Sequence, residues 1–411
     1  MPRVLLLLPT STYRTPDFLA AAERLGFEVT VASEEASTLE ALNPAGLLTL
    51  DFEDPDSAAK RAKEFALSFP IDAVVGADDE TVIASAAIAE ALGLPHNSAK
   101  AVLAARHKPT MRQRLDEARV DQPRFRLFSI DEDPSRAAAA VSFPCVLKPT
   151  FLAASRGVIR ADDSVRFAEA WRRIGKILAD PDVRGRGNAW AREILVEEYV
   201  PGFELALEGL LRDGELSTLA LFDKPDPMEG PFFEETLYVT PSRLSGEAQA
   251  SVREIAARAA AALGLRHGPV HAELRIAPEG PRVIEVAGRS IGGLCSRTLR
   301  FGTGMSLEEL ILKDALGLDV TGEKRENRAA GVLMIPIPGA GRLEEVRGVA
   351  DARAVPGIEE VTISAHPGQQ LVPLPEGSRY LGFVFARAES PEHVEGALRE
   401  AHRRLEFQIR A

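Results

Sequence analysis

Cysteine is almost missing from this sequence: Cys145 and Cys295 are the only two in 411 residues, and they lie far apart. That excludes a disulfide framework and a cysteine-based zinc site, and predicts a reducing, cytoplasmic setting. No run of about 18 apolar residues occurs, so no membrane span is predicted. The apolar stretch Val4–Leu8 follows Arg3 but is shorter than a signal-peptide core and leads into Pro9-Thr10-Ser11-Thr12 with no small-residue cleavage site nearby, so it reads as a buried first strand. Positive charge is in deficit, with 49 Lys plus Arg against 61 Asp plus Glu and a formal net charge of -12. Such a surface repels polyanions and excludes non-specific binding to nucleic acid or a membrane surface. A phosphate-bearing small molecule stays allowed, because a pocket sets its own potential. Two common phosphate signatures are also missing. The pattern G-x-x-x-x-G-K-[ST] occurs nowhere, and Pro9-Thr10-Ser11-Thr12-Tyr13 contains no glycine, so no dinucleotide fingerprint follows the first strand.

What is present divides into three stretches. Residues 1–97 alternate short apolar strands (Val4–Leu8, Val29–Ala32, Ala73–Gly76) with helical patterns (Phe18–Leu25, Thr81–Leu92), the rhythm of a parallel α/β sheet. Residues 98–325 hold strands, turns, two long helical stretches and nearly all the unusual polar residues. Residues 326–411 read as a mixed α/β segment, with strand-like Gly331–Ile337, Val361–Ala365 and Tyr380–Ala386 before a helix at Glu392–Leu405.

The most informative pair is Glu273 and Glu285. They flank Pro278-Glu279-Gly280, a turn between two strand-like runs, so the segment reads as an antiparallel hairpin. With the turn centred near Glu279 the two carboxylates lie opposite each other on one face, while Leu274 and Ile284 share the other. Opposed carboxylates backed by an apolar face call for a cation between them, and all-oxygen ligation suits Mg²⁺ or Mn²⁺. A register slip of one residue would instead leave two solvated charges. Lys148 closes the apolar strand Phe143-Pro-Cys-Val-Leu-Lys-Pro149, where its ammonium either meets an anion such as phosphate or snorkels to water. The small-residue loop that follows could fold over a triphosphate through its backbone N–H groups. Ile194-Leu-Val-Glu-Glu-Tyr-Val-Pro-Gly-Phe-Glu204 is either a plain strand and turn or a connector that presents its backbone to adenine and an acid to ribose.

In this order, these segments resemble the ATP-grasp superfamily over roughly residues 100–320. The resemblance implies an ATP-grasp fold of α/β and α+β character, preceded by an N-terminal Rossmann-like domain and followed by a C-terminal α/β domain. It makes Lys108 and Lys148 the phosphate-contacting lysines, and Ala154, Ser155, Gly157 and Val158 parts of the flexible phosphate loop. Glu197, Glu198, Tyr199 and Val200 become the adenine hinge, Glu204 the ribose acid, and Glu273 and Glu285 the Mg²⁺ ligands. Within the superfamily Asp223-Lys224-Pro225, Phe233–Ser242 and Glu285-Val-Ala-Gly-Arg289 are similar to bacterial L-amino acid ligases. That likeness implies Lys224 near the γ-phosphate, Glu235 on the substrate ammonium, and Arg289 on the substrate carboxylate and then the oxyanion. Ala287 cannot serve as the additional metal ligand that many ATP-grasp enzymes have there.

Tyr238 stands where a dipeptide-forming relative has histidine. Gly293, beside Gly292 in the substrate loop, stands where such relatives have a bulky aromatic, which predicts a roomier pocket. The expected reaction joins a small-molecule carboxylate to an amine through an acyl phosphate made from Mg²⁺-ATP, and a homodimer is compatible with it. Another ATP-grasp ligase or carboxylase, or a non-catalytic ATP-binding protein, stays open at this point. His271 should share the face of Glu273, and Arg275 either assists ATP or neutralises Glu273.

Overall fold

A computed structural model describes residues 1–411. In the N-terminal domain the strand Arg3–Leu7 lies between Glu28–Ser33 and Ala73–Gly76, with Leu47–Thr49 at the far edge, all parallel. Val4 to Leu8 are buried, as expected for a parallel strand covered on both faces. The chain winds one way from the first strand to Glu28–Ser33 and the other way to Ala73–Gly76. This makes a topological switch point, and the loops at the carboxyl ends of those strands open outward there. Pro9–Tyr13 and Asp78–Thr81 are two of those loops.

Helices Ala99–Arg106 and Lys108–Glu117 lead out of this domain, the first capped by Ser98, whose hydroxyl accepts from the Ala101 N–H. A lid follows. Its antiparallel sheet runs Phe125–Ser129, Glu193–Glu198, Cys145–Pro149, Ile159–Ala161. Helix Ser164–Ala179 packs on it through Phe167, Ala170, Trp171, Ile174, Ile177 and Leu178, a helical stripe spaced to bury one face.

The largest element is an eight-stranded antiparallel sheet. It runs from the edge strand Gly280–Ala287 through Gly268–Ala277, Phe203–Arg212, Glu215–Lys224 and Leu237–Thr240 to Ala329–Ile335, Gly382–Ala388 and Ile358–Ile363. Leu237–Thr240 pairs directly with Ala329–Ile335, so residues after 326 extend this sheet rather than starting a layer of their own. They add helix Pro391–Arg403 and a three-stranded sheet of Gln370–Leu371, Gly341–Arg347 and Glu406–Arg410. One apolar core joins Val4 and Phe18 to Tyr238, Leu310, Val332 and Phe383. Beside it Arg14 and Glu308 form a buried ion pair at 3.2 Å.

Candidate active site

The N-terminal domain, lid, central sheet and C-terminal segment enclose one cavity of about 1200 Å³. Its floor is the central sheet, and strand alternation decides what the floor presents. Glu204 stands in register with Lys224 on one side and Arg275 on the other. Two residues along the same strand Glu273 faces Ala206, and two further His271 faces Glu208. Residues spaced by two share a face, so these rows place one charged lattice under the cavity.

Glu273 is in register with Glu285 across the hairpin, as expected. The pairing then shifts, and Leu274 faces Val283 instead of Ile284. Ile284 is thus the extra residue of a bulge. It lines the cavity while Val283 and Val286 fill the core, which corrects the expectation that Ile284 shares the apolar face with Leu274. Lys108 reaches Glu285 at 3.1 Å and donates to the Leu152 carbonyl at 3.0 Å.

Lys148 does not snorkel. It is buried and ion-paired to Glu197 at 2.7 Å, while Arg112, fully buried, donates to the other Glu197 oxygen at 2.6 Å. Burial pushes the Glu197 carboxyl upward, but Arg112 and Lys148 outweigh it and hold the group at about 2. Of the expected hinge residues, Glu197 therefore faces these cations, and Glu198 pairs with Arg124 and Arg282. Tyr199 and Val200 border an apolar corner of Val146, Val158, Met228 and Phe233 that suits a flat ring.

The loop expected to cover phosphate turns through left-handed conformations at Ala154, Ser155 and Gly157. At Gly157, φ is +76° and an added Cβ would meet Pro149 at 2.7 Å, so only glycine fits. The loop is strapped from outside. The Gly157 N–H donates to the Pro375 carbonyl at 2.9 Å, Arg156 Nε donates to the Glu376 carbonyl at 2.8 Å, and Arg173 forks onto the Glu376 carboxylate.

Lys224 sits among three carboxylates: Glu204 at 2.8 Å, Glu273 at 3.4 Å, and Glu235 in a short contact. Oxygens of Glu204, Glu235 and Glu273 lie within 4.8 Å of one another, and the Lys224 ammonium is the cation they share. Burial works against that charge, yet the three acids raise its pKa well above the usual lysine range. Glu204 gives its second oxygen to Arg275 at 2.7 Å, so Arg275 neutralises Glu204 and not Glu273. Tyr238 is buried and donates its hydroxyl to Glu235 at 2.9 Å. Burial and then Glu235 push its pKa well up, so it is a neutral donor. Burial, with the Glu273 charge, also raises Glu235.

His271 pairs with Glu208 through Nδ1 and lies 3.3 Å from Glu273 through Nε2. Burial opposes its charge, but Glu208 and Glu273 raise it to about 9. Burial likewise opposes the Glu273 charge, and Lys224 and His271 carry that carboxyl well below the usual range. The second oxygen of Glu208 accepts from the Ile291 N–H at 3.0 Å, tying strand Phe203–Arg212 to the loop of Gly292 and Gly293. The expectation of extra room at Gly293 is not met: φ is +60°, and a Cβ there would meet the Phe383 ring at 3.1 Å. Phe383, from the C-terminal segment, occupies the space that the glycine leaves.

Arg289 points into the cavity with its guanidinium on Asp79, Nε and Nη2 both donating to Oδ2 at 2.9 and 2.7 Å. Burial raises Asp79, but Arg289 and Arg106 overcome this and hold it at about 2. Asp79, Arg112, Glu208 and the strap Pro375-Glu376 were not singled out from sequence. Only Glu208 left a signal there: Glu204-Leu-Ala-Leu-Glu208 alternates like His271-Ala-Glu-Leu-Arg275.

Residues 19–96, 141–298 and 333–410 match, respectively, families described as the ATP-grasp N-terminal domain, the ATP-grasp domain, and the L-amino acid ligase C-terminal domain 2. The chain is similar to carnosine synthase 1 of Gallus gallus, 34% identical over 260 residues, which are 60% of this chain and 27% of that protein. It is 28% identical to alanine–anticapsin ligase of Bacillus subtilis over 288 residues, 64% of this chain and 60% of that one. It thus spans about a quarter of the first relative's length and 60% of the second's. The L-amino acid ligase structure from Bacillus licheniformis superposes with a TM-score of 0.83 at 27% identity, covering 100% of this chain and 99% of that one.

Proposed function

The chain belongs to the ATP-grasp superfamily, and from that premise we propose that it is an ATP-dependent ligase joining an amino acid carboxylate to an amine, with release of ADP and phosphate. One observation carries this reading: facing carboxylates Glu273 and Glu285, the buried lysines Lys108 and Lys148, and Arg289 line a single cavity, with the buried Lys224 held against its floor by Glu204, Glu235 and Glu273. The chemistry needs that convergence, because a carboxylate must attack a polyanionic phosphate. Lys108 and Lys148 offset the repulsion on the phosphate side, and Lys224 does so where the two substrates meet.

The metal fit rests on the donor set. Glu273 and Glu285 offer hard oxygens from facing positions at the cavity floor, which suits Mg²⁺ and, less selectively, Mn²⁺. There it would neutralise the triphosphate and polarise the transferring phosphoryl group. The Glu204, Glu235 and Glu273 trio is instead filled by the Lys224 ammonium.

The protein's own groups account for the remaining steps. Tyr199, Val200 and Phe233 receive the adenine, Glu204 the ribose, and the loop Ala154–Val158 covers the phosphates. Glu235, oriented by Tyr238, takes the ammonium of the acyl donor, so its carboxylate points to the γ-phosphate. Arg289 then meets the carbonyl oxygen as the amine attacks the acyl phosphate and negative charge develops. The strapped loop excludes water that would hydrolyse that intermediate. Such an enzyme should release phosphate only with both organic substrates present. A panel of amino acids in pairs, read by phosphate release and product mass, tests this. ATP turnover without any coupled product would refute it.

A further inference from the structure

Arg289 and Asp79 belong to different domains. Asp79 lies in the turn after strand Ala73–Gly76, at the switch point of the N-terminal sheet, and Arg289 follows strand Gly280–Ala287. Their 210-residue separation is closed by two hydrogen bonds from Nε and Nη2 to one oxygen. A third, from Nη1, goes to the Ser290 carbonyl at 2.9 Å. A guanidinium carries five N–H groups. These three contacts spend the side edge and part of one terminal nitrogen, and leave one N–H on each terminal nitrogen. The pair is largely buried, with 13% and 18% of the two side chains exposed, so water competes weakly for it.

We propose that Asp79 is the positioning residue for Arg289: the N-terminal domain grips the guanidinium by its side edge and so aims its two remaining N–H groups at the reacting carbonyl. This rests on the ligase reading above, in which Arg289 meets the developing oxyanion. A long side chain left free would sample several rotamers, and an oxyanion donor works only when it is held where the charge will appear. Asp79 also balances the arginine's charge, so the site offers hydrogen bonds without a free cation that would bind any stray carboxylate. Docking of the N-terminal domain is therefore part of the catalytic geometry and not only of the fold.

Asp79→Asn keeps the shape and one acceptor oxygen but removes the charge. The expected result is a fall in kcat for product formation of about 10-fold to 100-fold, with MgATP affinity unchanged by calorimetry and more phosphate released per product. Asp17→Asn is the control. It weakens the Arg297 ion pair between the same domains, so it should lower thermal stability and leave kcat alone. Full kcat in Asp79→Asn, or a loss confined to stability as in Asp17→Asn, overturns the proposal. So does a lower KM with unchanged kcat, since Asp79 would then be competing with a substrate carboxylate. If the wild type makes no product from any amino acid pair, the ligase reading fails. A crystal structure of Asp79→Asn still decides the local claim, because a guanidinium that keeps its place without the carboxylate contradicts it.

Discussion

Lys108, Lys148 and Lys224 are each buried against an acid, so a substitution there has a structural and a chemical consequence that pH and ligands can separate. Glu285 touches only Lys108 among the charged groups, and 29% of its side chain is exposed. Glu285→Gln should therefore keep the fold, with a melting temperature within a few degrees, and lose at least about 100-fold in MgATP turnover. Near-normal turnover at saturating Mg²⁺ would refute Glu285 as a metal ligand.

Glu197 behaves differently, because its neutralisation leaves Arg112 and Lys148 without their shared anion. Its folded pKa is lowered from 4.5 to about 2. A depressed carboxylate contributes stability that is complete above pH 4.5 and is lost as pH falls toward 2. The shift corresponds to roughly 3 kcal/mol at neutral pH, on the order of what breaking a buried pair costs. Urea unfolding should show Glu197→Gln less stable by about that amount at pH 7, with the gap narrowing below pH 4.5. A gap independent of pH contradicts the assignment. Lys148 and Glu197 were both visible in sequence as unusual residues at strand ends. Their pairing was not, because it depends on a register that sets Lys148 opposite Leu195 and Glu197 opposite Val146 on strands far apart in the chain.

At the scale of elements, local pattern was the readable part. The hairpin register followed from its turn, and the first strand from its apolar run. The bulge at Ile284 followed from neither, since alternation breaks there without a glycine or proline to mark it. Strands Gly341–Arg347 and Glu406–Arg410 were missed because their exposed, charged faces dilute the apolar signal. The strap on loop Ala154–Val158 is an element no local pattern could reveal, as its partners lie 203 and 220 residues apart. The Glu376–Arg173 fork is about 40% exposed, so its loss should cost under about 1 kcal/mol of stability. Glu376→Ala should nonetheless loosen the loop over the phosphates and raise phosphate release per product formed, measured side by side in one reaction. An unchanged ratio would show that the strap does not govern loop closure.

For the whole molecule, fold and function are joined by how much each part relies on the others. The apolar core crosses from the N-terminal sheet to Phe383 and Phe385, and the central sheet crosses residue 326 without a break. Phe383 fills the space beside Gly293 that sequence alone assigned to substrate. The ordered set of lysines and acids made the superfamily legible, because those residues sit in short segments with their own local logic. The pocket's size was not legible, since residues from three stretches of chain define it.

In the proposed ligase one cavity couples ATP cleavage to bond formation between a carboxylate and an amine. The most direct measurement follows ADP and condensed product together while amino acid pairs are supplied with MgATP. The expected result is one ADP per product, formed only when both substrates are present, and abolished in Glu285→Gln. ADP formed at the same rate with no amino acid present, and no condensed mass from any pair, would contradict it.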